Sequence, residues 1–523
     1  MQTIKKNTVL FLILPYLLYC ALSIGGMWDS TAHLEMGKDK LKFFFSLGQI
    51  EHEGSWYDSY QPGISYTITA FFTNILPKKY QFELLHVVNL IISLSAVYGI
   101  AKISRILFNK KVSNIVFLTF LFYPTFFGHM AINPKDTVFT VCFVWITCYV
   151  LKYLTSNKKY QNNNIYILKI SFLLAVGSGI RLGFASILIP IIIFTILEIF
   201  YFKKIITKNF STKFFIFDLI KIIFISFFIL ILFWPQAYSN ILIEPFKLFF
   251  ESLSAPWGVA SGMLNGKIYL TNQTPKNYII LNFILKSPEY LLLLYILSIY
   301  FIFKYNSFFK EKFNNFNYKL YFIILVLFFS NLLFIFSPFP LYDGMRLFMY
   351  LISFFILIPS LGIYFLISKS NFLYFKICLI LTAFLIIVFL YKFISLTPYH
   401  YVYLNYLNGK TSNNDQKFEN DYLSTSIKEL LNKSKFLNKK TKLTFCGASS
   451  GIIKRYLNKY NYSKVRLVRP EEKYDYVLAT NRVDWNSVGK TSKSTTCFQT
   501  FKGETLSKVE RNGLVLSVIK KTN

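Results

Sequence analysis

The sequence predicts an all-α polytopic membrane protein that carries a small carboxy-terminal α/β domain. The first observation is composition: 54% of the 523 residues are hydrophobic and 19% are aromatic. A soluble core stops growing at roughly 250–300 residues, so a chain this apolar needs a second solvent. The second observation is a series of apolar runs of about 20 residues, the length that crosses a bilayer as a helix. The third is a sharp change to polar composition near Thr397.

The apolar runs predict roughly eleven transmembrane helices. We place them at 7–26, 84–107, 112–130, 133–153, 166–180, 183–202, 215–235, 283–303, 318–336, 347–367 and 372–395. The first run follows Lys5 and Lys6, as the apolar part of a signal peptide would. It is long enough to span the bilayer, and no small-x-small cleavage site follows it, so we predict a retained first helix.

Basic residues predict the orientation of these helices. The net charge is +32, and the lysines lie between apolar runs rather than on one polar face, which does not favour a nucleic-acid partner. Alternate loops hold most of them, on the same side as the amino terminus: Lys110 and Lys111; Lys152, Lys158 and Lys159; Lys203, Lys204, Lys208 and Lys213; Lys304, Lys310 and Lys312; and Lys369. The positive-inside rule makes this side cytoplasmic. Loops 27–83 and 236–282 and the tail are then extracytoplasmic.

The composition divides the chain into a transmembrane domain, residues 1–396, and an extracytoplasmic α/β domain, residues 397–523. In the second domain we predict a strand at 442–447, a helix at 450–460, two further strands and a terminal hairpin with Asn512-Gly513 in its turn. Cys446 and Cys497 would be free to form a disulfide if this domain is exported. The other four cysteines lie in apolar runs.

Ionisable residues gather at the predicted extracytoplasmic ends of the helices, where their cost makes them functional candidates. They are Asp29 and His33 after the first run, His129, Lys135 and Asp136 between the third and fourth, Arg181 between the fifth and sixth, and Asp343 and Arg346 between the ninth and tenth. Arginine binds phosphate oxygens in a bidentate fork. A carboxylate can take a proton from an attacking hydroxyl or hold a divalent metal. The set would suit an anionic lipid head group.

Most of these residues also have a structural interpretation. Taken by itself, Asp29 would only mark the water boundary after the first helix. The two histidines would be buried structural groups. The Lys135–Asp136 and Asp343–Arg346 pairs would be ordinary helix-start residues. Arg181 is different, because it lies on the face that is poor in basic residues, and there it needs a partner.

Several motifs give the chain a resemblance to the GT-C class of membrane glycosyltransferases. The branch that it resembles most is glycosyltransferase family 39, which includes protein O-mannosyltransferases and the aminoarabinose transferase of lipid A. Those enzymes have an acidic residue just after the first span, here Asp29. The segment SYQPGISYTITAFF, with Pro62, is similar to a re-entrant helix of these enzymes. Four further segments are similar to their later motifs: GHMAINPKDTVF, TPKNYIILNFILKSP, LYDGMRLFMY and the segment at the start of the tail that ends in FENDYL. The resemblance covers roughly the first 425 residues. The chain departs from the pattern at Ser30, Gly63 and Leu347, where relatives often have an acid, a proline and a histidine.

This resemblance implies a GT-C fold and an inverting transfer of a sugar from a polyprenyl-phosphate donor to an acceptor hydroxyl. The acceptor would be a protein, a lipid or a glycan, and the site would face outward from a multi-pass protein of the plasma (inner) membrane. Asp29 would be the general base and Asp136 would bind a divalent metal or orient the site. The other candidates would bind substrate: Arg181, Arg346 and Lys135 the phosphate, with Asp343, His33 and His129 nearby.

Two other functions fit the same composition. A transporter or flippase of lipid-linked sugars would also need buried charges, but within spans that are broken near the midplane and related by repeats. The charges here lie at helix ends, and no repeat is evident. A polysaccharide polymerase or ligase of another membrane class is the second alternative.

Overall fold

The apolar runs form helices, as the sequence predicted. The computed structural model describes residues 6–50, 59–75, 77–155, 163–206, 210–254, 261–336, 340–409, 416–484 and 495–522. The helices are α1 (Lys6–Ser23), α2 (Ser30–Phe45), α3 (Ile64–Thr73), α4 (Gln81–Leu107), α5 (Lys110–Leu121), α6 (Pro124–His129), α7 (Asp136–Thr155), α8 (Asn163–Ile180), α9 (Phe184–Ile187), α10 (Ile189–Leu197), α11 (Thr212–Leu232), α12 (Glu244–Ser254), α13 (Tyr278–Lys286), α14 (Glu289–Lys304), α15 (Asn306–Lys312), α16 (Phe316–Phe336), α17 (Met349–Phe355), α18 (Leu357–Ser368), α19 (Leu373–Ser395), α20 (Ile427–Lys433), α21 (Ser450–Lys459) and α22 (Cys497–Thr500).

The protein is a multi-pass membrane protein. Among the described residues, six helical segments are long and apolar enough to cross a bilayer: α4, α7, α11, α16, residues 346–368 and α19. Helices α13 and α14 pass the same test as one span bent by 112° at Ser287-Pro288, and four further apolar helices are shorter. The predicted number of eleven spans therefore stays a prediction, although every predicted run coincides with helix.

Burial separates inner helices from those that face lipid. In the most apolar stretch of residues 346–368 and of α7, 83% and 78% of the residues are buried, whereas in α11 only 17% are. Inner helices thus carry the polar site residues at their ends, and outer helices cover them with apolar side chains.

Two short helices, α2 and α3, lie in the predicted outer loop 27–83 and pack on each other. Helix α3 coincides with the segment for which the resemblance implies a re-entrant helix, and Gly63 precedes it with φ of +75°. Only glycine adopts this conformation readily, and a proline, fixed near −65°, could not. The departure at Gly63 therefore has a conformational reason. The Gly63 amide donates to the Gly179 carbonyl at 2.7 Å, which joins α3 to the end of α8.

The carboxy-terminal residues form a mixed five-stranded sheet, as predicted. Its strands are β3 (Thr441–Cys446), β4 (Val465–Leu467), β5 (Tyr476–Thr480), β6 (Glu504–Arg511) and β7 (Leu514–Lys521), in the order β4-β3-β5-β7-β6. Strand β3 pairs in parallel with β4 and β5, and the β6–β7 hairpin turns at Asn512-Gly513, both with positive φ. A separate hairpin, β1 (Ser261–Leu264) and β2 (Lys267–Leu270), lies in the loop between α12 and α13. Cys446 and Cys497 are joined by a disulfide.

The sheet domain packs directly on the helical part. The Trp28 amide donates to the Leu423 carbonyl at 2.9 Å, just beyond the end of α1. Glu83, at the start of α4, pairs with Lys459 and lies 3.2 Å from Lys428. These contacts hold the segment that follows α19 over the ends of α1 and α4. The boundary between 396 and 397 stays a prediction, since residues 400–402 pack against α6.

Candidate functional site

Asp136 lies at the centre of the predicted site. It begins α7, and its carboxylate is buried. Oδ1 accepts from Nη2 of Arg181 at 2.6 Å, and Oδ2 lies 3.8 Å from Nε of Arg346 and accepts from Asn133 at 2.9 Å. Arg181 therefore has the partner that its position in the sequence required. The pairing joins the start of α7 to the end of α8.

Arg181 follows the last residue of α8 and keeps part of its guanidinium in the open. The contact between Gly63 and Gly179 fixes the end of α8, two residues before this arginine. The Arg181 side chain is 36% exposed, whereas Asp136 is 7% exposed. One edge of the fork is thus held by a buried carboxylate while the remainder is accessible to a ligand.

A tight turn places Asp343 between two arginines. Asp343 and Gly344 both have positive φ, 57° and 66°, and Arg346 starts the next helical segment. Oδ2 of Asp343 lies 3.2 Å from Nη1 of Arg346, and Oδ1 lies 3.4 Å from Nη2 of Arg482. Left-handed backbone at a non-glycine residue is a strained conformation that clusters at functional sites. The Asp343–Arg346 pair is therefore more than a helix-start pair, because it extends to a residue of the sheet domain.

Arg482, Glu419 and Lys286 complete the cluster and were missed by the sequence reasoning. Nε of Arg482 lies 3.6 Å from Oε1 of Glu419, and all three side chains are buried. Burial and the nearby Asp343 raise the pKa of the Glu419 carboxyl, although Arg482 opposes the shift. Lys286, at the end of α13, interacts electrostatically with Asp343 and Glu419 and lies over the Tyr422 ring at 5.2 Å. Glu419 belongs to the FENDYL segment and Lys286 to the segment TPKNYIILNFILKSP, and both segments resemble parts of GT-C enzymes, whereas Arg482 lies beyond the resemblance.

The two histidines are buried and lie next to the charged groups. Nε2 of His129 lies 2.9 Å from the Tyr422 hydroxyl, and Nδ1 lies 3.2 Å from Asn133, which in turn donates to Asp136. His33 stacks on the Tyr66 ring with centroids 4.5 Å apart. Burial lowers the pKa of His33 to about 4, so this imidazole is neutral at physiological pH. Both histidines are thus buried groups that contact neighbouring side chains of the site, which agrees with their structural interpretation.

Asp29 differs from the other carboxylates of the site. It is half-buried at the start of α2, and its side chain makes no capping hydrogen bond. Within the described residues no ion pair or hydrogen bond engages this carboxylate, yet it acts electrostatically on His33 and Arg346. Lys135, also half-buried, acts on His33 and Asp136. Asp29 is therefore the one carboxylate here that is available to a substrate.

The surroundings of Asp136 do not fit a divalent metal. Both carboxylate oxygens already face arginine or Asn133 donors. A divalent cation would be repelled by the two guanidinium groups. No group of three or more His, Cys, Asp or Glu residues suited to a metal occurs in the described part of the chain. The geometry supports the alternative role that the sequence allowed, in which Asp136 orients the site.

All eight predicted site residues therefore lie in one continuous network. It joins five cations, Lys135, Arg181, Lys286, Arg346 and Arg482, to four carboxylates, Asp29, Asp136, Asp343 and Glu419. The excess of positive charge is suited to an anionic ligand, and it includes guanidinium groups that bind phosphate in a planar fork.

Comparison with solved structures decides the fold. The apo crystal structure of ArnT from Cupriavidus metallidurans superposes with a TM-score of 0.53 at 8% identity, over 98% of this chain and 97% of that chain. The chain has the GT-C fold. This confirms the predicted fold class, and the match extends to the carboxy-terminal domain.

Two further GT-C structures are similar at lower scores. ArnT from the same organism bound to undecaprenyl phosphate matches with a TM-score of 0.47 and 9% identity, over 98% of this chain and 97% of that one. The apo oligosaccharyltransferase of Archaeoglobus fulgidus matches with 0.48 and 10% identity, over 92% of this chain and 70% of that one. Both scores are below 0.5, so the fold assignment rests on the first match. No protein-family model matches the sequence, and no curated protein is similar to it in sequence.

Proposed function

We propose that this protein is a membrane glycosyltransferase that moves a sugar from a polyprenyl-phosphate donor to an acceptor hydroxyl. The observation that carries the proposal is an available carboxylate, Asp29, beside a network in which two arginines share Asp136. The carboxylate can accept the proton of an acceptor hydroxyl, and the arginines can stabilise the negative charge of a phosphate leaving group.

Arg181 and Arg346 hold the donor phosphate in this proposal. Asp136 keeps both guanidinium groups in place, so they need no rearrangement when charge develops on the phosphate oxygen. Donors that are fixed in advance stabilise a departing anion more effectively than mobile ones. Lys135 and Lys286 add positive charge at either side, and Asp343 orients Arg346.

Asp29 acts as the general base. The acceptor oxygen attacks the anomeric carbon as the bond between that carbon and the phosphate oxygen breaks. The hydroxyl proton passes to the Asp29 carboxylate, and polyprenyl phosphate leaves with the bonding electron pair. This step has to use a single carboxylate, because Asp136 pairs with the arginines and Ser30 stands where relatives often have a second acid.

The class of ligand has independent support. ArnT, whose fold this chain shares, is an aminoarabinose transferase and has been solved with undecaprenyl phosphate bound. We carry over only the chemistry, a phosphate on a long prenyl chain; the sugar and the acceptor are left open.

The site faces outward in this proposal. The basic loops predict a cytoplasmic amino terminus, and the carboxy-terminal domain that packs on the site contains the Cys446–Cys497 disulfide. Disulfides persist in oxidising compartments, which supports an extracytoplasmic domain. A reporter enzyme that works only in the cytoplasm can be fused after Asn523. Activity of this fusion would contradict the proposed orientation.

A transfer assay tests the proposal. The purified protein is mixed with a panel of radiolabelled polyprenyl-phosphate sugars and cell-envelope extract, and labelled product is separated from donor. We expect a product from one or more donors with the wild type and a strongly reduced amount of it with Asp29→Asn. In sealed proteoliposomes, movement of labelled donor between leaflets without any product would support a flippase instead.

A further inference from the structure

A groove on the lipid-facing side of the helical bundle lies apart from the candidate site. It lies between α4, α7 and α8 and has a volume of about 480 Å³. Its walls are mainly apolar and aromatic; they include Val141, Trp145, Tyr149, Phe172 and Leu173. Since α4 and α7 are long and apolar enough to cross the bilayer and α8 is a shorter apolar helix beside them, we expect the groove to be accessible to membrane lipids.

The three helices place one lysine each at the same end of this groove. Lys102 lies near the end of α4, Lys152 near the end of α7 and Lys169 near the start of α8. The opposite ends of α7 and α8 carry Asp136 and Arg181. Lys152 lies 16 residues after Asp136 on α7, or about 24 Å along the helix axis, and Lys169 lies 12 residues before Arg181, or about 18 Å along α8. The lysines are therefore well separated from the candidate site.

These lysines are close together and are not neutralised. Lys102 and Lys169 both lie near enough to Lys152 to interact with it by electrostatic repulsion. Within the described residues no carboxylate forms an ion pair with any of the three. Lys102 lies over the Trp145 ring at 5.5 Å and Lys169 over the Tyr149 ring at 5.3 Å, so aromatic groove residues hold two of the ammonium groups.

Lysines that extend to the water at a membrane surface do not cluster as these three do. Such side chains extend separately toward the head groups, and like charges on neighbouring helices diverge. Here three like charges from three helices converge beside an apolar groove. An anion between them would remove the repulsion.

We propose that this groove binds an anionic phospholipid, with an acyl chain along the aromatic wall and the phosphate among the three lysines. Basic pockets between transmembrane helices bind anionic head groups, and each lysine near the surface contributes favourably. The occupant is a bilayer phospholipid rather than the polyprenyl donor, because the lysines lie at the far end of α7 from Asp136. The proposal does not depend on the transferase activity.

Native mass spectrometry of the full chain in detergent tests it. The protein is incubated with phosphatidylglycerol or with phosphatidylcholine of the same acyl composition, and bound lipid is counted. We expect phosphatidylglycerol to be retained roughly 10- to 100-fold better, with a preference that falls as salt rises. The triple variant Lys102→Gln, Lys152→Gln, Lys169→Gln should bind both lipids equally.

Two further variants keep the test decisive. Lys204, Lys310 and Lys376 are exposed lysines outside the groove, and their triple replacement by glutamine should leave the preference unchanged. Replacing the three groove lysines by arginine should keep the preference, because charge is retained. Equal retention of the two lipids by the wild type, or an undiminished preference in the groove variant, would overturn the proposal. Loss of transfer activity alone would not bear on it.

Discussion

Nη2 of Arg482, in the sheet domain, lies 3.4 Å from Oδ1 of Asp343, in the helical part. Asp343 also pairs with Arg346, and Arg346 lies 3.8 Å from Asp136. A residue beyond the last apolar helix is thus part of the network that the proposed donor phosphate would meet.

Asp29→Asn should lower transfer roughly 10²–10⁴-fold, the usual value of a positioned general base. The carboxylate holds no ion pair in the described structure, so thermal stability should stay unchanged. Initial rates of product formation, together with melting curves, measure both effects. Asp39→Asn is the matched control, since Asp39 lies on α2 with its side chain 44% exposed and pairs with Lys42. Undiminished transfer in Asp29→Asn would show that this residue only marks a helix end.

Arg181→Lys separates the phosphate role from a structural one. A lysine can still pair with Asp136, so insertion and folding should persist, but the bidentate fork is lost. The loss of one charge-assisted contact costs about 1.5–3 kcal/mol, or roughly 10–150-fold in donor use. It should raise the apparent KM if the contact forms before transfer and lower kcat if it tightens during transfer. Arg466→Lys is the control, because Arg466 is an exposed residue of β4. Wild-type kinetics in Arg181→Lys would return Arg181 to a structural role.

Arg482→Gln should destabilise the protein by about 3 kcal/mol or more, because it leaves Asp343 and Glu419 buried without their shared cation. Adding Asp343→Asn should restore part of that loss, since the uncompensated charge is then removed. Chemical unfolding of the two single variants and the double variant gives the coupling free energy. Additive effects would mean that the 3.4 Å contact contributes nothing to stability.

Reduction of the Cys446–Cys497 disulfide should impair transfer as well as stability. The Cys497 amide donates to the Arg482 carbonyl at 2.8 Å, so the crosslinked segment also positions Arg482. Removing a native disulfide typically costs about 2–5 kcal/mol. Cys446→Ser with Cys497→Ser should show both losses without reductant, and Cys378→Ser, outside the sheet domain, should show neither. A fully active double variant would separate the disulfide from the site.

His33 makes stability depend on pH in a definite direction. Its pKa is about 4 in the folded protein and about 6.5 when unfolded. Between these values the unfolded chain binds the proton more readily, so this group destabilises the fold progressively as pH falls from 6.5 to 4, by about 3 kcal/mol at most. His33→Gln should flatten that part of the stability profile, measured by chemical unfolding at each pH. A profile of the same slope in the variant would contradict the prediction.

The sequence predicted the helices because spanning a bilayer demands long apolar runs, whatever the details of packing. It also indicated the candidate site residues from Asp29 to Arg346, because ionisable groups at helix ends are few and costly, and their role in a site stays a prediction. Their convergence on Asp136 could not be derived from composition, since it depends on how the ends of α7, α8 and the turn at Asp343 pack. The expected metal role of Asp136 was one of two alternatives, and the geometry favours the other.

Arg482 shows where such reasoning stops. In a polar domain an arginine is ordinary, and nothing near it in sequence marks it as buried. Its role follows from the docking of the sheet domain on the end of α1, a long-range contact without a periodic signal. Glu419 is similar, although its FENDYL segment resembled relatives and could have suggested it.

The late position of Arg482 in the chain has a consequence for biosynthesis. Translation completes every apolar helix before it reaches this arginine, and the disulfide beside it must still form. Until then Asp343 and Glu419 lack the cation that they share in the finished protein. A nascent chain can therefore sit in the membrane with its helices assembled and yet be immature at the site, which would delay any use of lipid-linked sugar until synthesis and oxidation are complete.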